Sequence, residues 1–227
     1  MKRASEAGLE IRTDSPAQLA DQLSNGKLDM AMIPAIEYLK QADRFRLLPN
    51  ISISSRNKVG TVLLVSKVPL NAIRSLALDD RSRTSVALLR ILYSEVFSAG
   101  LKLTRHEPDL EKMLHSNDAA LIIGDQALGF SKEDLSIYDL SEEWFTRTEK
   151  TFVHAVIAVR EDIKVESGII QTLLDAKQEG LQNLDTIAKI QANKTGHPIF
   201  LLRDYLKNKI RYDFGEEEME GLMHFQS

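Results

Sequence analysis

The feature that most constrains this chain is a set of short runs that are apolar on both faces and lead into helical patterns. "TVLLVSKVP" (61–69), "RSLALDD" (74–80) and "AALIIGD" (119–125) carry consecutive apolar residues rather than alternating ones. A strand that buries both faces needs helices on both sides of its sheet. These runs therefore predict an α/β architecture with largely parallel sheets. Further strands are predicted at "LDMAMIP" (28–34) and "TFVHAVIAVR" (151–160). A helix is predicted to start at Ser15-Pro16, a capping hydroxyl followed by proline, and to stop at Asn25-Gly26. Another runs from about Thr84 to Phe97 with Leu88, Leu89, Leu92 and Val96 on one side, and a third covers 107–118. After Arg160 the pattern is helical, with breaks near Gly180, Gly196–Pro198 and Gly215.

Two stretches share one order of helix end, turn, strand and small polar loop: "LSNGKLDMAMIPAIEYL" (23–39) and "LHSNDAALIIGDQALGF" (114–130). They predict two similar lobes, lobe one from 1–63 with 158–227 and lobe two from 64–157, with a ligand cleft between them. "TVLLVSKVP" is expected to cross into lobe two and "TFVHAVIAVR" to cross back. In open α/β sheets ligands sit outside the carboxyl ends of strands. Here those ends are Ile33–Glu37, Leu78–Ser85 and Gly124–Ala127.

Composition narrows the chemistry of such a cleft. The 227 residues include no cysteine, which removes disulfides, thiolate metal sites and a cysteine nucleophile. The histidines at 106, 115, 154, 197 and 224 show no HxxxH or HExxH spacing, so no metal site is expected. There is no GxGxxG and no P-loop. A formal net charge of −4 provides no global field for nucleic acid, so an anion site must be a local device. No apolar stretch approaches the roughly 20 residues of a membrane span. The start, "MKRASEAGLEIR", lacks the apolar core of a secretory signal, and a cytoplasmic protein is expected.

Two hydroxyl clusters supply such devices. Ser82, Thr84 and Ser85, with Arg81 or Arg83, stand where a strand gives way to a helix. The first N–H groups of that helix lack intrahelical partners, and with the helix dipole they suit a carboxylate. Capping plus a solvated loop is the alternative reading. Ser54, Ser55 and Arg56, in "SISSR" (52–56), form a second cluster just before the predicted crossing strand, with a plain turn as the alternative. Gly124 ends the third strand at the cleft. Protein bases are sparse there, and Glu37 and Asp125 are the candidates. Pairing with an arginine is the alternative for Glu37, and capping of the next helix for Asp125. His154, inside an apolar strand, reads as a core or hinge histidine, and Trp144 as a packing residue. The acids of "GEEEMEG" (215–221) read as a solvated helix face.

"DMAMIPAIEYL", "ISISSRNKVGTVLLVS", "ALDDRSRTSVALLRIL", "HEPDLEKML", "AALIIGDQAL", "YDLSEEW" and "YLKNKIRYDFGEEEMEGL" occur in this order. Together they resemble the chorismate dehydratases of the futalosine route to menaquinone, over about residues 9 to 225. The paired "SISSR" and "SRTSVALLR" motifs are the most specific part. A sister family acting on cyclic dehypoxanthine futalosine lacks that pairing. The resemblance implies a two-lobed type II periplasmic-binding-protein-like fold, each lobe a mixed, mostly parallel sheet flanked by helices. It also implies a cytoplasmic lyase that converts chorismate into 3-[(1-carboxyvinyl)oxy]benzoate and water. Such an enzyme needs no cofactor, and neither nucleic acid nor a membrane is expected as a partner. The reaction needs clamps for the substrate's carboxylates, a base for the C3 hydrogen and a proton for the departing C4 hydroxyl. The substrate's own enolpyruvyl carboxylate, which can fold over C3, is a further candidate base. Members of the family begin with a strand and a Tyr-x-Asn-x-x-Pro loop, and none precedes "LEIRTDSPAQLADQL", which resembles their second strand and its helix. The resemblance thus implies either a start upstream of Met1 or an impaired form.

Overall fold

The computed structural model describes residues 8–79, 83–97 and 100–226. Helix α1 (Pro16–Ser24) begins as its sequence dictates, with Ser15 Oγ accepting from the Gln18 N–H at 3.3 Å and proline in the first turn. It buries Ala17, Ala20 and Leu23 against strand β1 (Met30–Pro34). A short helix α2 (Ala35–Leu39) leads to β2 (Phe45–Ser55), an eleven-residue strand whose pairing shifts register between Leu47 and Ser52. There follow β3 (Val62–Ser66), β4 (Ser75–Asp79), α3 (Arg83–Leu92), β5 (Lys102–His106), α4 (Leu110–Ser116) and β6 (Ala119–Ile123). Next come β7 (Ser136–Asp139), α5 (Leu140–Thr148) and β8 (Phe152–Arg160). The chain closes with α6 (Ser167–Gln182), α7 (Leu184–Thr195), α8 (Ile199–Asp204), β9 (Ile210–Arg211) and α9 (Glu216–Gln226).

The strands form two sheets, β1-β8-β2-β9 and β5-β4-β6-β3-β7. The α/β architecture with helices on both sheets is the expected one. The strand pairing requires a correction. In the second sheet β4 pairs in parallel with β5 and β6, while β3 runs against both β6 and β7. In the first sheet every recorded pair is antiparallel, so it is not mostly parallel. The cause is β8, which returns from the second sheet and wedges between β1 and β2. Because both flank it in the opposite sense, β1 and β2 still point the same way.

The boundaries expected at 63/64 and 157/158 fall inside strands that stay in one sheet. β3 pairs only within the second sheet and β8 only within the first. The links between the sheets run through residues 56–61 and 149–151. Among the described residues no strand pairs with the outer edge of β1, and Leu9–Asp14 form no strand. Instead Leu9 and Ile11 lie along a trough of about 750 Å³ beside Met30, Met32, Leu173 and Ile187.

Helix α9 closes the other side of β8. A Cβ at Gly221 would stand 1.9 Å from the Thr151 carbonyl oxygen, an approach only glycine permits. The acidic face of α9 is less solvated than its composition suggests. Glu218 is buried, accepts from the Gly215 N–H at 3.0 Å and faces Arg211 at 3.2 Å.

Candidate active site

The strand-to-helix turns of the two sheets meet at a seam. At the end of β1 the Ile36 N–H donates to Thr84 Oγ1 at 3.4 Å, and that hydroxyl in turn donates to the His154 carbonyl on β8 at 3.3 Å. The His154 ring pairs through Nε2 with Ser55 Oγ, the last residue of β2, at 2.8 Å. Burial pushes the His154 pKa down to about 4, so the ring is neutral near pH 7. Phe152 stands edge-on to it at 4.9 Å. Members of both predicted hydroxyl clusters, Ser55 and Thr84, are thus joined through one residue that the sequence reading assigned to the core or hinge.

Charge enters beside them. Arg83, the first described residue of α3, forks onto both oxygens of Asp21 at 2.9 Å and reaches Glu37 Oε2 at 3.3 Å. The Arg83 hydrogen bonds hold the Asp21 carboxyl below its ordinary range, and the Asp21 carboxylate raises Arg83 in return. The other oxygen of Glu37 faces Lys40 at 3.0 Å, so this buried carboxylate stands between two cations. That is the arginine pairing foreseen as its alternative role.

The remaining predicted residues divide. Ser85 is buried one position beyond Thr84. Arg81 and Ser82 lie outside the described residues. Ser54 is fully buried, and among the described residues its Oγ has no hydrogen-bond partner. Arg56 turns away to Glu217 at 3.2 Å and stacks over the Phe145 ring at 5.1 Å. Glu217 is also bound by Arg211 and Thr151, which lower its pKa. Gly124 takes a left-handed conformation (φ 68°), and its N–H donates to the Thr61 carbonyl at 2.9 Å. Asp125 accepts from Gln191 on α7 at 3.1 Å. Neither Gly124 nor Asp125 has a recorded bond to the Ser55–His154–Thr84 group among the described residues. Asp21 and the Ile36 N–H were not foreseen, because both depend on a contact between distant segments. His154 carried a sequence signal, a polar side chain inside "FVHAVIAV".

Two sheets, each with a returning strand set against its neighbours and joined by short links at a polar seam, define a two-lobed binding-protein-like fold. Solved structures bear this out. A protein from Archaeoglobus fulgidus superposes with a TM-score of 0.74 at 17% identity, covering 98% of this chain and 88% of that one. The periplasmic aliphatic sulphonate binding protein from Escherichia coli superposes with a TM-score of 0.63 at 15% identity, covering 99% and 82%. Within that fold the chain belongs to the menaquinone biosynthesis family, whose model matches residues 2–227. A chorismate dehydratase from Thermus thermophilus is 34% identical over 236 residues, 96% of this chain and 86% of that protein.

Proposed function

We propose that this chain is a hydro-lyase that dehydrates chorismate to 3-[(1-carboxyvinyl)oxy]benzoate and water, working in the cytoplasm on the futalosine route to menaquinone. The observation that carries this reading is the 34% identity to a chorismate dehydratase along 96% of the chain. The seam offers chemistry that suits it. The start of α3 brings a guanidinium, two buried hydroxyls and N–H groups to one place, as a dicarboxylate requires. On this reading Arg83, Thr84 and Ser85 hold one carboxylate and Ser55 meets the other, with Ser54 adjoining it; Ser82 is assigned to the first carboxylate from its place in the sequence alone. Arg56 and Gly124 are assigned to walls of the cleft rather than to direct clamps.

Both carboxylates named from sequence as candidate bases have partners of their own. Glu37 is flanked by Lys40 and Arg83, and Asp125 is engaged with α7. On this reading the substrate's own enolpyruvyl carboxylate, which can fold over C3, is the base we favour for the C3 hydrogen. The C3–H electrons form the new ring double bond as the C4–O bond breaks, and the hydroxyl departs with the proton as water.

Purified protein incubated with chorismate should generate an aromatic absorbance without added cofactor. Binding of chorismate with no product would leave a binding protein of the same fold. Ser85→Ala should weaken substrate binding by about 1–3 kcal/mol, the cost of withholding one hydrogen bond from a charged group. Unchanged affinity in that variant would remove Ser85 from the clamp.

A further inference from the structure

Ser55 Oγ, the His154 ring, the His154 carbonyl, Thr84 Oγ1 and the Ile36 N–H form one polar line through the seam. The backbone groups fix the direction of its later links. The first link has two possible senses, because a serine hydroxyl carries one proton and a neutral imidazole carries one N–H. Ser55 is 1% exposed, and among the described residues its hydroxyl bonds only to His154. Buried donors are nearly always satisfied. Either sense leaves one donor without a bond among the described residues, the Ser55 hydroxyl or an Nδ1–H. Ser55 is the more enclosed, since His154 is only half-buried, so in the unliganded protein donation from Ser55 to Nε2, with the ring proton on Nδ1, is the better-satisfied arrangement. A ligand carboxylate in the seam offers Ser55 a stronger, charged acceptor. Once the hydroxyl turns to it, the serine oxygen is free to accept from the ring.

We propose that the Ser55–His154 hydrogen bond reverses when an anion binds: Ser55 donates to Nε2 in the free protein, and Nε2–H donates to Ser55 in the complex. The inference rests on the clamp role given to Ser55 above. His154 is then a positioning residue that acts through Ser55. The reversal moves one proton off Nδ1 and one onto Nε2, with no net gain or loss of protons or electrons. The neutral ring can take either tautomer, and Nδ1 has no bonded partner among the described residues to lock one of them. The edge-on Phe152 and the Thr84 bond to the His154 carbonyl hold ring and backbone in place while the proton changes nitrogen.

The test is a nitrogen-15 histidine spectrum of the intact protein, with and without 3-[(1-carboxyvinyl)oxy]benzoate as a stable dicarboxylate probe. Nε2 should be unprotonated in the free protein and protonated in the complex. An Nε2 in the same state in both samples overturns the proposal. Calorimetric affinities supply a second arm. His154→Phe should weaken probe binding by about tenfold, and His154→Gln should stay within about threefold, since an amide can accept or donate. Equal losses in both variants at unchanged melting temperature would mean that the ring only packs, and would overturn the role. Should His154→Phe fail to fold, the spectrum of the wild-type protein still decides. Probe that does not bind the wild-type protein refutes the clamp reading and this inference together. Probe that binds without changing Nε2 refutes this inference alone.

Discussion

The five-stranded sheet encloses its centre, where Leu64, Leu76 and Leu121 are each 0% exposed and β3 is buried along its whole length. Among the described residues the four-stranded sheet ends at β1, with an apolar trough beside it and helices α1, α6 and α7 around that trough. Both sheets contain one strand returning between parallel neighbours, but only the second also pairs strands in parallel. The packing at their edges separates them further. The second sheet holds itself together through its own interior, and the first depends on what is packed around it.

The largest test of that contrast is a paired truncation. Leu121→Ala should cost about 2–5 kcal/mol, as core leucine deletions do. Met32→Ala, at the open edge beside a ready-made cavity, should cost less than about 1 kcal/mol. Denaturant unfolding of both variants measures the difference, and equal losses would break the contrast. A smaller effect separates tight from open packing around the first sheet. Gly221→Ala forces a Cβ onto the Thr151 carbonyl and should cost about 1–3 kcal/mol. Gly180→Ala in α6, where an added Cβ meets nothing within 4 Å, should gain up to about 1 kcal/mol. Melting temperatures moving in the same direction would contradict this.

The smallest difference is electrostatic, and it carries opposite signs in the two halves. Glu217, beside the first sheet, is lowered by Arg211 and then Thr151 from its ordinary 4.5. Its contribution is present above pH 4.5 and is lost as pH falls through the lowered folded value. Asp139, which caps α5 after the second sheet, is raised from 3.8 by burial, against the N–H groups of Gly60, Glu142 and Ser141. The folded state holds that proton more tightly, so its contribution is present below pH 3.8 and is lost as pH rises through the raised value. Melting profiles across about pH 3 to 7 should flatten on the acid side for Glu217→Gln and on the rising side for Asp139→Asn. Identical profiles for the two variants would remove the contrast.

What was legible in the sequence follows the same division. The interior strands β3, β4, β6 and β8 were readable because burial on both faces leaves an unbroken apolar run. β2 was missed because Pro49 and a left-handed Asn50 interrupt it where its register shifts. "SISSR" was therefore read as a hydroxyl cluster lying before a strand, when Ser54 and Ser55 end one. β5, β7 and β9 were missed as well. β5 and β7 are sheet-edge strands with polar residues, and β9 is only two residues long. At the site, Thr84 and Ser85 drew notice in the sequence because more hydroxyls are present there than a cap uses, and they fall in the first turn of α3. The Arg83–Asp21 fork was not, because nothing in either local pattern points across 62 positions.

Trp144 is the only tryptophan in the chain, and it comes from α5. Its ring meets Phe152 of β8 edge-on at 5.6 Å and Phe225 of α9 at 5.8 Å, with the His224 ring at 5.5 Å. The protein therefore carries a built-in optical reporter spanning both halves. A buried indole emits at short wavelength, and its emission responds to the rings packed against it. Any change in the spacing between α5 and β8 alters both colour and intensity. A ligand that shifts α5 against β8 should therefore change the intrinsic fluorescence, and a titration without a dye would read it.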